Sequence, residues 1–207
     1  MITKDWTGNS RTYAAVLGAR NFALEEREQH DYYATDPNSL VVFLERLKKD
    51  DIKLNQNIWE CACGEGHLSK ILTREGVKVY STDLVNRNYG VSGVDFLQQT
   101  EIWNGDILTN PPYKYAKEFV EHSMELLPFG NKCIMFLKLQ FLEGKARKKL
   151  FEKYPPKYVY VFSERQRCAM NGNFDKYSNN GITHGAVAYC WYIWEKGFTG
   201  EPIIRWI

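Results

Sequence analysis

Long apolar runs are missing from this chain of 207 residues: no stretch of 18 or more apolar residues occurs, so nothing in it reads as a membrane-spanning helix. The opening "MITKDWTGNS" has no apolar core of the kind a secretory leader needs. Cysteines are few and do not pair off. Five is an odd number, no small secreted scaffold surrounds them, and a reduced, cytoplasmic protein is expected. Cys61 and Cys63 stand two apart with no second pair nearby, which argues against zinc, and no metal is expected. Repeats and low-complexity tracts are absent. So is the Gly-Lys-Ser/Thr of a phosphate loop, and the G-x-G-x-x-G fingerprint of dinucleotide binding is incomplete. His30, His67, His122 and His184 are scattered along the chain and read as structural residues.

What is present is a core-forming composition with an uneven charge distribution. Hydrophobic residues make up 44%, too many for a disordered chain. The net charge of +2 says little, but from Lys138 to Arg167 nine Lys/Arg face three Glu, a local balance of +6. Such a segment is either a footprint for nucleic acid phosphates or a solvated helix face.

Periodicity organises the rest. Leu40, Val41, Phe43, Leu44 and Leu47 form a helical stripe after "TDPNS". "NIWECA" (57–62), "VKVYST" (77–82), "GDILTN" (105–110), "KCIMFLKL" (132–139), "KYVYVF" (157–162) and "AVAYCWYIWE" (186–195) read as strands, and "PIIRWI" as a further edge. Helices are expected after Gly66, over 115–127 and over 143–153. Strands alternating with helices predict an α/β fold, a mostly parallel sheet with helices on both faces. Such sheets bind ligands at the carboxyl ends of their strands, where the unusual residues of this sequence gather.

"ECACGEG" (60–66) is a glycine-rich strand-to-helix turn, where Gly64 and Gly66 allow close backbone approach to a ligand. Asp83 follows 17 residues after Gly66, at the end of the next strand. It either accepts ribose hydroxyls or caps the turn at "DLVNRN". Asp95-Phe96 either meets an adenine or anchors a loop. "DILTNPPY" (106–113) ends a buried strand in an amide, two prolines and a ring. Proline fixes φ and removes a donor, so this segment presents carbonyl oxygens rather than N–H groups.

This ordered series resembles the class I S-adenosylmethionine-dependent methyltransferases, and within them the DNA N6-adenine methyltransferases. "NPPY" is their catalytic motif, "ECACGEG" is similar to their glycine-rich motif, and "YATDP" (33–37) is similar to their N-terminal cofactor segment. "LKLQFLEG" (137–144), "HGAVAYCWYIWEKGFTG" (184–200) and "DWTGNS" resemble the small phage- or prophage-type members, so the likeness covers nearly the whole chain. It implies a Rossmann-like seven-stranded sheet with an antiparallel late strand. Residues 31–207 would form one S-adenosylmethionine-dependent domain with a loop insertion at 163–184, and residues 1–30 an extension packed on or near the active site.

The resemblance further implies roles. Asn110, Pro111, Pro112 and Tyr113 would be catalytic, with the Asn110 oxygen and Pro111 carbonyl accepting from an adenine amine and Tyr113 stacking on the base. Thr35 would touch the methionine carboxylate. Glu60, Cys61, Cys63, Gly64 and Gly66 would surround the methionine part, although Cys61 stands where many members have proline. Asp83 with Leu84 would hold the ribose side, and Asp95 with Phe96 the adenine. DNA, with its adenine flipped out, would be the partner, and Lys138, Lys145, Arg165, Arg167 and Lys176 its candidate contacts. Two alternatives stay open at this stage. The acceptor can be an RNA base or a protein glutamine, although the glutamine enzymes usually carry a helical N-terminal domain for which residues 1–30 are too short. The chain can also be a silent cofactor- and DNA-binding module, against which the intact "NPPY" speaks.

Overall fold

The architecture was obtained as a computed structural model, which describes residues 33–164, 166, 168–170 and 187–207. The extension 1–30, most of the insertion 163–184, and with them Arg165, Arg167 and Lys176, lie outside the described residues.

Chain order runs β1 (Tyr33–Thr35), α1 (Pro37–Lys49), β2 (Asn57–Glu60), α2 (His67–Arg74), β3 (Lys78–Asp83), β4 (Val91–Ser92), β5 (Asp106–Thr109), α3 (Ala116–Leu126), β6 (Lys132–Lys138), α4 (Lys145–Lys153), β7 (Tyr158–Val161), β8 (Cys168–Met170), β9 (Tyr189–Glu195) and β10 (Ile203–Trp206). Eight of the strands form one sheet in the order β10-β7-β9-β6-β5-β2-β3-β4. Pairs are parallel except those of β9, which runs antiparallel to both β6 and β7. The late antiparallel strand is therefore present, and the sheet has eight strands rather than seven. The strand beyond those read from the sequence is β4, which pairs outside β3, while the expected edge "PIIRWI" forms β10 outside β7.

The central strands are apolar on both sides because both faces of the sheet are covered. In β6, Cys133, Met135 and Leu137 pack with α3 and α4, while Ile134 and Phe136 pack with α1 and α2. The same alternation divides Cys190, Tyr192 and Trp194 of β9 from Trp191 and Ile193. One side is aromatic-rich at its base: the Phe43 ring stacks on Trp191 at 4.8 Å. Asp36 caps α1, its Oδ1 accepting from Asn38 N at 2.9 Å, with Pro37 at the first helical position.

Polar anchors fix the margins. Asp106 is buried at the foot of β5 and accepts from Lys132 N and Asn55 N, both at 2.8 Å. At the other margin Asp50 receives Tyr160, Arg46 and Arg205. Burial opposes its charge, but these three donors hold the Asp50 carboxyl below its ordinary value. A second, two-stranded unit joins β1 to β8 antiparallel, with Thr35 opposite Cys168. The start of the predicted insertion is thus a strand that pairs with the segment before α1.

Candidate active site

The parallel strands β2, β3 and β5 end at one edge, and their following turns enclose a cavity of ≈ 430 Å³. Parallel sheets leave such crevices because successive crossovers depart to opposite faces, as α2 and α3 do here. The cavity is within the size range of small-molecule sites.

The first wall is the glycine turn after β2. Gly64 and Gly66 have φ of 55° and 77°, a left-handed conformation that side-chain-bearing residues rarely adopt. A Cβ on Gly66 would lie 2.3 Å from the Tyr89 ring, so the loop after β3 closes down on this turn. Neither glycine lines the cavity; Cys61, Ala62 and Cys63 do. Glu60 also lines it and is buried. Burial pushes its carboxyl up to about 8, against the hydrogen bond donated by the Ser69 hydroxyl and with a smaller push from Asp83. The Cys63 thiol is raised to about 12 by burial and then by Glu60 and Asp83. Burial holds Cys61 well up too, so neither cysteine offers a thiolate near neutral pH.

The second wall comes from the end of β3. Of the two sequence readings of Asp83, the turn cap is present. Oδ2 accepts from Gly64 N at 2.8 Å, joining β3 to the glycine turn, while Oδ1 accepts from Val85 N at 2.8 Å and faces Arg87 at 3.2 Å. Asp83 therefore caps its turn and lines the cavity at once. Arg87, four residues on, also lines it and was missed; the only signal available was its i,i+4 spacing from the aspartate. Asp95 likewise anchors its loop, accepting from Leu97 N at 3.0 Å, and lines the cavity. Phe96 borders the cavity but is 2% exposed, its ring set edge-on against Trp59 and His122. It is a buried floor rather than an open stacking face. Leu84, at 58% exposure, is the apolar side chain standing at the rim.

The third wall is Asn110–Tyr113, all four of whose residues line the cavity. Asn110 Nδ2 donates to Thr35 Oγ1 at 2.8 Å across 75 residues of sequence, which brings the segment before α1 into the same site. The Tyr113 ring lies 6.0 Å from Tyr189 and has the Lys138 ammonium 4.9 Å from its centre. Lys114, Tyr115 and Phe119 also line the cavity and were not singled out from sequence. Of the expected DNA contacts, Lys138 reaches the site through Tyr113, and Lys145 does not. Lys145 lines a separate groove with Lys148, Glu152, Pro155, Pro156 and Glu201.

No protein-family model and no curated protein matches the chain. Solved structures do. A chain from Listeria monocytogenes assigned to the class I S-adenosylmethionine-dependent methyltransferases aligns with a TM-score of 0.56 and 12% identity over 95% of this chain and 71% of its own. A type I restriction-modification system methyltransferase subunit from Streptococcus thermophilus gives 0.57 and 16% over 86% of this chain and 47% of its own. A SAM-dependent O-methyltransferase from Thermotoga maritima gives 0.52 and 13% over 82% and 69%. The fold is the Rossmann-like fold of class I methyltransferases. Identities this low speak for the fold, and the chemistry has to be argued from the side chains.

Proposed function

We propose that the protein transfers a methyl group from S-adenosylmethionine to the N6 amine of adenine in DNA. The observation that carries this reading is the convergence of Asn110–Tyr113, Glu60 and Asp83 on one cavity. The lining fits the cofactor: the Asp83 carboxylate suits ribose hydroxyls, the Glu60 carboxyl, held protonated by burial, can donate as well as accept, and Leu84 supplies an apolar rim. When bound, the cofactor supplies a sulfonium-activated methyl group.

The protein's part is to hold the acceptor. The N6 lone pair of adenine is delocalised into its ring, so the amine is a poor nucleophile. The Asn110 side-chain oxygen and the Pro111 carbonyl accept its two hydrogens, favour a pyramidal nitrogen and stabilise the charge that develops on it. Pro111 and Pro112 fix the backbone and bring no competing N–H. Tyr113 stacks on the base, its own ring backed by Lys138. Positioning and fixed dipoles therefore supply the rate enhancement. From duplex DNA the base must first leave the stack, at a cost of a few kcal/mol. The likeness of Asn110–Tyr113 to the motif of the DNA N6-adenine methyltransferases supports DNA as the acceptor polymer, and that of 137–144 and 184–200 to the small phage-type members supports marking of phage DNA.

The test is expression in a methylation-free bacterial strain with single-molecule sequencing of its genome. N6-methyladenine at a defined motif, absent with Asn110→Ala, is the expected result. Unmodified DNA together with label from methyl-tritiated cofactor in RNA or protein would overturn the DNA assignment.

A further inference from the structure

We propose that Thr35 is a positioning residue for the Asn110 carboxamide: its hydroxyl accepts from Nδ2 and, by giving its own proton to an acceptor on the bound cofactor, fixes Oδ1 toward the acceptor amine. This rests on the methyl-transfer reading above and adds to it a coupling between the two halves of the site.

A carboxamide has a donor end and an acceptor end of nearly the same shape, and a half-turn about its last bond exchanges them. Methyl transfer to an amine needs the oxygen end. Something must therefore decide which way Asn110 points. Its Nδ2 lies 2.8 Å from Thr35 Oγ1. A hydroxyl is one donor and two lone pairs, so by itself it serves either end of the amide. Once its proton is taken by a different acceptor, only lone pairs remain, and Asn110 must meet it with the NH₂ end. Thr35 is placed for this double task, since it is 3% exposed and lines the cavity that holds Glu60 and Asp83.

Its backbone is held on both sides. Thr35 is paired to Cys168 in the β1–β8 ribbon, and the next residue, Asp36, caps α1. The backbone that carries the hydroxyl cannot drift without breaking a strand pair or a helix cap, and at 3% exposure the side chain has little room to turn. That rigidity is what a residue needs if it is to set another's orientation rather than follow it.

The experiment compares Thr35→Val, which keeps the shape and loses the hydroxyl, with Thr35→Ser, which keeps the hydroxyl. The full-length protein is used, with genomic DNA from a methylation-free strain as substrate and S-adenosylhomocysteine as the binding probe. Thr35→Val should lower kcat at least tenfold, leave the KM for DNA within about threefold, and weaken S-adenosylhomocysteine several-fold in calorimetry. Thr35→Ser should return both to within about threefold of the parent. The Asn110 side-chain amide, assigned by its loss in Asn110→Ala, should shift on adding S-adenosylhomocysteine in the parent and in Thr35→Ser but not in Thr35→Val. If Thr35→Val does not fold, Thr35→Ala carries the same comparison. Parental kcat in Thr35→Val, or a Thr35→Ser as impaired as Thr35→Val, would overturn the proposal. If the parent methylates no DNA, the methyl-transfer reading fails, while the resonance shift still decides the claim about Thr35.

Discussion

Individual side chains in this site carry two tasks, and that shapes what their replacement should do. On the proposed reaction, Asn110→Ala removes the amine acceptor and Tyr113→Ala the stacking ring, so each should abolish or greatly slow methyl transfer while S-adenosylmethionine affinity stays within a few-fold. Near-full turnover in both would remove the segment from the chemistry. Asp83→Ala should weaken the cofactor by about 1.5–3 kcal/mol in calorimetry, and part of that loss comes from freeing Gly64 N rather than from the ligand. Glu60 adds a pH signature. Its folded value is about 8 against an ordinary 4.5, so between these values the folded protein keeps a proton that the unfolded chain releases. Stability contributed by this group is complete below about pH 4.5 and falls as pH rises toward 8, by up to about 1.4 kcal/mol per pH unit. Glu60→Gln should remove that slope. Melting temperatures of parent and variant that run parallel from pH 5 to 8 would show that the carboxyl titrates normally.

At the level of elements, the glycine turn, the strand ending in "NPPY" and the basic helix were legible because each has a strong local signature. The core strands were found because β6 and β9 are continuous apolar runs apart from their charged ends. Pattern reading did not find β4, which is two exposed residues with no pattern to show. It also missed the β1–β8 ribbon, whose partners are three residues each and more than 130 positions apart; nothing local encodes such a pairing. Asp95-Phe96 was read as either an adenine contact or a loop anchor, and the sequence does not show the Trp59 and His122 rings that pack around Phe96. Asp106 was read only as part of the strand 105–110, and the structure shows that it also ties β5 to the starts of β2 and β6 through two backbone N–H groups. Asp106→Ala should leave both donors buried without an acceptor and cost about 2–5 kcal/mol, with Asp106→Asn about half as costly. Urea melts should show a lower midpoint at unchanged slope. A midpoint unmoved in Asp106→Ala would mean that these strand ends find other acceptors.

Across the whole molecule, the basic segment does not act as one surface. The sequence joins Lys138 to Lys145 within seven residues, but the fold separates them. Lys138 ends β6 beside the cavity, over the ring of Tyr113. Lys145 and Lys148 instead border the groove that also holds Glu152 and Glu201, and Lys148 is 3.6 Å from Glu152. Local charge balance there is close to neutral, so that helix face matches the solvated reading of the charge run. If DNA enters the site by its flipped base, the phosphates on either side of that base pass close to Tyr113. Phosphate contacts release counterions, so each one lost lowers the dependence of log K on log salt by about 1. Lys138→Ala should therefore weaken binding to all DNA sequences alike and reduce the salt slope by about 1. Lys145→Ala combined with Lys148→Ala should leave both affinity and slope at the parental value. The opposite pattern, a slope that falls only in the Lys145/Lys148 double variant, would place the duplex along α4 and against the approach to Tyr113 argued from the site.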